Sequence, residues 1–124
     1  MMPTVLIAED HPHVRSALRF AVEEKLGWEV CDTASDVLTL LAAAGRCCPD
    51  VIVVDAELNG LAAWGTHRLS ELVRLVKLLC PFARLVAISS MPETQAAVLA
   101  SGVHAYVSKN EPAENLLKTL EKLR

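Results

Sequence analysis

The chain has 124 residues, 12 of them basic and 15 acidic, for a formal net charge of −3. That length is the usual size of one domain and can bury a core large enough to be stable alone. The lack of surplus positive charge argues against direct binding to nucleic-acid phosphates or to anionic lipid. Although 52% of the residues are apolar, no run approaches the roughly 20 residues that a membrane span needs.

No basic-then-apolar leader opens the chain, because Pro3, Glu9 and Asp10 interrupt the first apolar run, so a cytoplasmic location is expected. The four cysteines, Cys31, Cys47, Cys48 and Cys80, include no CxxC pair. They read as small buried hydrophobes, with Cys47-Cys48 at a helix end.

Thr4 to Ala8 is a continuous apolar run that ends in Glu9-Asp10. It reads as a strand covered on both faces, followed by an acidic loop. A helix then starts near His11-Pro12, with Val14, Ala17, Leu18, Ala21 and Val22 at helical spacing, and Gly27 stops it. Trp28 to Ala34 alternates more than the other strands do, as an edge strand should. Ser35 is the expected N-cap of a helix through Ala44, with Asp36 placing negative charge on its first turn and Gly45 ending it.

Val51 to Asp55 is a buried strand that ends in a carboxylate, followed by a turn at Asn59-Gly60. A helical pattern runs from about Leu61 to Leu79, closed by Pro81. Arg84 to Ile88 is the fourth strand and runs into Ser89-Ser90; a helix starts at Pro92 and ends at Gly102. Val103 to Ser108 is the fifth strand and leads to Lys109, and a last helix opens at Glu111-Pro112. Five strands alternating with five helices predict a doubly wound α/β sandwich with a parallel sheet, one domain over residues 1–124.

In a parallel sheet the carboxyl ends of the strands share one edge, so Glu9, Asp10, Asp55, Ser89 and Lys109 are expected to converge there. Carboxylates crowded together resist ionising unless a cation sits among them. Oxygen ligands with no thiol or imidazole favour a hard ion such as Mg²⁺, which completes its shell with water and phosphate oxygens. Lys109 then suits one phosphoryl oxygen, the Ser89 hydroxyl another, and Asp55 the role of nucleophile.

On the runs Val5 to Pro12, Val86 to Ser90 and Ala100 to Lys109, together with the strand ending in Asp55, the chain resembles two-component response-regulator receiver domains throughout its length. His11-Pro12, Trp28 to Val30 and Tyr106 to Lys109 are similar in particular to receivers of the LuxR/NarL-type helix-turn-helix subfamily. The resemblance implies a flavodoxin-like fold with strand order 2-1-3-4-5. It also implies that Asp55 accepts a phosphoryl group from a sensor histidine kinase. Mg²⁺ would be held by Asp10, by Glu9 through water, by Asp55 and by the main-chain carbonyl of Glu57. Lys109 and Ser89 would engage the phosphoryl oxygens. Tyr106 would swing into the space that Ser89 leaves, changing the face of the fourth helix, fifth strand and last helix, where a homodimer, an output domain or another partner would act. Glu57 and Met91 would modulate the lifetime of the phosphorylated state.

The resemblance implies no enzyme beyond self-phosphorylation from small donors and slow autodephosphorylation. Two competing functions are a pseudo-receiver scaffold and an aspartyl-nucleophile phosphohydrolase, for which Glu57 stands where the general acid belongs. The chain departs from the family in having Asn59 where proline is usual, and in a longer stretch after Asp55, near Ala62-Ala63-Trp64-Gly65. Nothing follows Arg124, so the expectation is either that an output domain has been cut away or that this is a stand-alone receiver that acts by binding something else. His11 and His13 read as surface histidines.

Overall fold

The computed structural model describes residues 2–61 and 68–123. Its strands are β1 (Thr4–Ala8), β2 (Glu29–Ala34), β3 (Val51–Asp55), β4 (Arg84–Ser89) and β5 (Ala105–Ser108). Its helices are α1 (Pro12–Phe20), α2 (Val37–Cys47), α3 (Arg68–Leu79), α4 (Gln95–Ala100) and α5 (Ala113–Leu123). The strands form one parallel sheet in the order β2-β1-β3-β4-β5, as expected. Among the described residues no helix is long and apolar enough to cross a membrane.

Alternation along the strands sends side chains to opposite faces of the sheet, and each face has its own core. Leu6, Ile52, Val54 and Leu85 pack with Leu40 of α2, Leu72 and Val76 of α3 and Val98 of α4. Val5, Ile7, Val53, Val86 and Ile88 pack on the other face with Val22 and with Leu116 and Leu120 of α5. Every residue of β3 is buried. Each such valine or isoleucine contributes roughly 1.5–3 kcal/mol of transfer free energy, so the strand that ends in Asp55 is held on both faces.

The helix after β1 is not uniform. It is α-helical to Phe20 and then widens into a π-helical turn, Ala21–Leu26, closed by Gly27 at φ 71°. The wider turn carries Ala21 and Val22 into the core, whereas no residue of α1 itself is buried.

Two helix ends differ from the sequence expectation. The N-cap of α2 is Asp36 rather than Ser35: Asp36 is extended, its carboxylate accepts the Thr39 N–H at 2.8 Å, and the Thr39 hydroxyl reaches back in a capping box. Gly45 does not end α2. The helix runs to Cys47 and closes on Cys48 at φ 40°, whose N–H bonds to the Ala44 carbonyl at 2.9 Å. Pro49, which cannot donate to another turn, is the stop. A side-chain-bearing residue in the left-handed region costs about 1–2 kcal/mol relative to glycine.

The fourth inter-strand segment starts as a 3₁₀ turn, Pro92–Thr94, before α4 begins. β5 starts two residues later than expected, because His104 still serves the connection, its N–H bonding to the Leu85 carbonyl at 2.8 Å. The cysteines are not uniformly buried: Cys80 is, Cys31 and Cys47 are half-buried, and Cys48 is exposed. The extra residues near Ala62-Ala63-Trp64-Gly65, and the part of the Leu61-to-Leu79 pattern that precedes Arg68, lie outside the described residues.

Candidate functional site

The connections after β1, β3, β4 and β5 bring the expected residues to one edge of the sheet. Glu9, Asp55 and Ser89 are buried, and the Asp10 side chain is 14% exposed. Lys109 lies between two of the acids, with Nζ 2.8 Å from Glu9 Oε2 and 3.0 Å from Asp55 Oδ2. The other Asp55 oxygen, Oδ1, accepts the main-chain N–H of Glu57 at 2.8 Å. Burial alone would lower the Lys109 pKa, but its close pairing with Glu9 and Asp55 outweighs that and raises it, so the ammonium stays charged.

His11 belongs to this site, although its spacing to His13 reads only as surface histidine. Its Nδ1 is 2.9 Å from Glu9 Oε1 and 3.0 Å from Asp10 Oδ1. The Glu9 hydrogen bond and the Asp10 charge raise the pKa of the imidazole. Histidine immediately after two acids and before a helix was the available signal. Arg15, from the first turn of α1, donates to the Glu9 carbonyl at 2.8 Å and ties the helix to the acidic turn.

Glu9, Asp10, His11 and Asp55 each place a potential ligand atom within 4.8 Å of the others. Glu9 Oε2 and Asp10 Oδ1 are fully enclosed and receive no aligned hydrogen bond; Lys109 and His11 meet them as ion pairs. Enclosed carboxylate oxygens short of donors are what a divalent cation satisfies, and the oxygen-rich set fits a hard ion such as Mg²⁺.

Ser89 is turned to Glu57. Its hydroxyl donates to the Glu57 carboxylate at 3.2 and 3.0 Å and accepts the Met91 N–H at 3.0 Å. Burial, with the charge of Asp55 adding to it, raises the Glu57 pKa against the lowering effect of the Ser89 bond. Tyr106 is half-buried on β5, and its hydroxyl donates to the Met91 carbonyl at 3.3 Å. Met91 thus links the two residues read as a switch.

The turn after Asp55 is ordered without proline. The Leu58 N–H bonds to the Asp55 carbonyl at 3.1 Å, and the Asn59 carbonyl accepts the Val37 N–H at 3.0 Å. Gly60 follows at φ 99°, where a Cβ would come within 3.2 Å of Val37 Cγ2. The backbone at Asn59-Gly60 is therefore fastened to the start of α2.

Comparison with curated protein sequences finds no match. Among solved structures the chain is similar to a LuxR-family two-component response regulator from Aurantimonas sp. SI85-9A1 (TM-score 0.84, 22% identity, 99% of this chain and 85% of that one). It is similar to the receiver domain of the putative response regulator NarL from Mycobacterium tuberculosis (TM-score 0.80, 21% identity, 98% and 94%). It is also similar to the chemotaxis response regulator CheY4 of Vibrio cholerae (TM-score 0.82, 26% identity, 100% of both chains). Residues 5–121 match the family described as the response regulator receiver domain. With nearly the whole chain matched and acids, hydroxyl and lysine gathered at the one edge where such domains hold their acidic pocket, the chain belongs to the response regulator receiver domain family.

Proposed function

We propose that the chain is a phosphoacceptor switch in which Asp55 takes a phosphoryl group from a phosphohistidine of a sensor kinase. The observation that carries this reading is the buried ion-pair set in which Lys109 bridges Glu9 and Asp55. Receiver domains are signalling switches rather than enzymes, they bind Mg²⁺ at an acidic pocket, and they pair with histidine kinases and output domains.

An Asp55 oxygen attacks phosphorus, the kinase N–P bond breaks, and its electron pair returns to the imidazole. Asp10, Glu9, Asp55 and the Glu57 carbonyl are the proposed holders of Mg²⁺, which when bound offsets negative charge on the carboxylates and on the incoming phosphoryl oxygens. Lys109 exchanges part of its ion pairing with Glu9 and Asp55 for a phosphoryl oxygen. Ser89 gives up Glu57 and donates to a second phosphoryl oxygen. Tyr106 then leaves the Met91 carbonyl and turns inward, remodelling the surface of α4, β5 and α5 for an output domain, a partner or a second copy of the chain.

Incubation with Mg²⁺ and acetyl phosphate tests this reading by intact mass. The expected result is a gain of one phosphoryl group that the Asp55→Asn protein lacks. Uptake by Asp55→Asn at an unchanged rate overturns the assignment.

A further inference from the structure

At the opposite edge of the sheet, where α2 and α3 end and β3 and β4 begin, the four cysteines fall into two facing pairs. Cys48 Sγ is 2.6 Å from Cys80 Sγ, and burial together with the neighbouring Cys47 pushes the Cys31 thiol up to about 12. All four are free thiols. We propose that Cys48 and Cys80 are a redox-active dithiol that closes reversibly to a disulfide by exchange with a small-molecule disulfide.

Three independent features support this. Thiols this close to one another have only a short distance left to close. The two are unequal in access, since Cys48 is exposed while Cys80 is 3% exposed, with its Sγ 3.0 Å from the Ala44 carbonyl. Finally, the chain places cysteine at φ 40°, immediately before Pro49, where a glycine C-cap would sit without strain. Such outliers gather at sites with a task beyond packing.

The unequal access orders the chemistry. Burial, with Cys48 beside it, pushes the Cys80 thiol up to about 12, so it stays protonated and shielded from reagents in solvent. Cys48 is therefore the entry thiol. Its thiolate attacks one sulfur of R–S–S–R, forming a Cys48–S–S–R bond and releasing R–S⁻. Cys80 then attacks the Cys48 sulfur, its proton passes to solvent or to the departing thiolate, and the second R–S⁻ leaves. The protein loses two protons and two electrons, and the small disulfide takes them up and is reduced to two thiols. The resulting bond ties the end of α2 to the residue after α3, so the chain segment it closes contains β3, Asp55 and α3.

The test equilibrates the whole chain with defined mixtures of oxidised and reduced glutathione, quenches with acid and maps peptides after alkylation. The expected product has lost two hydrogens, keeps two of its four thiols open to alkylation, carries a Cys48–Cys80 cross-link, returns to the dithiol in excess reduced glutathione, and melts at a higher temperature than the reduced form. Cys80→Ala should stop at a glutathionyl adduct on Cys48. Cys48→Ser, changed at an exposed position, should take up no glutathione and form no cross-link, while labelling at Asp55 from acetyl phosphate is unchanged. A wild-type protein that remains a glutathionyl adduct, or whose cross-link joins Cys31 to Cys47 or two chains together, overturns the proposal. Should Cys80→Ala fail to fold, the loss of cross-link in Cys48→Ser decides it alone.

Discussion

The Ser89 hydroxyl donates to both carboxylate oxygens of Glu57, which stands two residues beyond Asp55. A phosphoryl group on Asp55, as proposed above, would have to compete with a carboxylate already in the chain for that hydroxyl. Glu57→Ala removes the competitor. A hydrogen bond to a charged, partly exposed group is worth about 1 kcal/mol, so labelling from acetyl phosphate should speed up about fivefold. The decay of the phosphorylated protein should change too, and in Met91→Ala as well, without loss of labelling. Stopped-flow labelling followed by a chase measures both; unchanged rates in both variants would show that these positions do not set the lifetime of the phosphorylated state.

Lys109 compensates two carboxylates that are almost wholly enclosed, Glu9 and Asp55. Lys109→Ala leaves them facing each other without the ammonium, at a cost of about 3 kcal/mol. Chemical denaturation without divalent ions should show that loss. Because an added cation replaces the missing charge, Mg²⁺ should raise the Tm of this variant more than that of wild type. Equal shifts in both would argue that the ion does not lie among these acids.

His104 supplies a pH dependence far from the acidic cleft. Its Nδ1 accepts the Leu85 N–H at 3.0 Å, which requires an unprotonated nitrogen there. Burial, aided by Arg84 and Lys77, lowers its pKa. The folded state therefore favours the neutral ring. The stabilisation is fully present above the unfolded value of about 6.5 and is lost as the pH falls through the depressed folded value. The Tm of wild type should decline on acidification through this window more steeply than that of His104→Gln.

Asp36 holds the start of α2 through Thr39, and its backbone hydrogen bond to Thr39 keeps its carboxyl below the usual carboxylate range. Asp36→Ala should lower stability clearly and Asp36→Asn much less. Urea denaturation of the two variants separates the lost cap from the lost charge. Equal losses would mean that the charge, not the cap, does the holding.

The sheet and the site edge are legible in the sequence because Val51 to Val54 and Val5 to Ile7 are runs that only a doubly covered strand accommodates, and because a parallel sheet puts their ends together. Ser35 and Asp36 carry the same capping signal, and only the extended backbone at Asp36 distinguishes them. Gly45 misleads because a helix tolerates an exposed glycine when its flanks are packed, here by Ala43 and Ala44. The π-helical turn has no periodicity of its own over six residues. His11 and the facing thiols escape because each depends on partners that the spacing along the chain does not reveal.

α1 rests on the sheet with only half-buried contacts, none of its side chains being enclosed, while β3 encloses all of its own. Replacing residues on α1 should therefore disturb folding little, whereas almost any change in β3 is severe. The molecule thus separates the strand that carries its candidate acceptor from a helix whose side chains it does not enclose. Sequence change along that one helix leaves the packing of the central strand untouched.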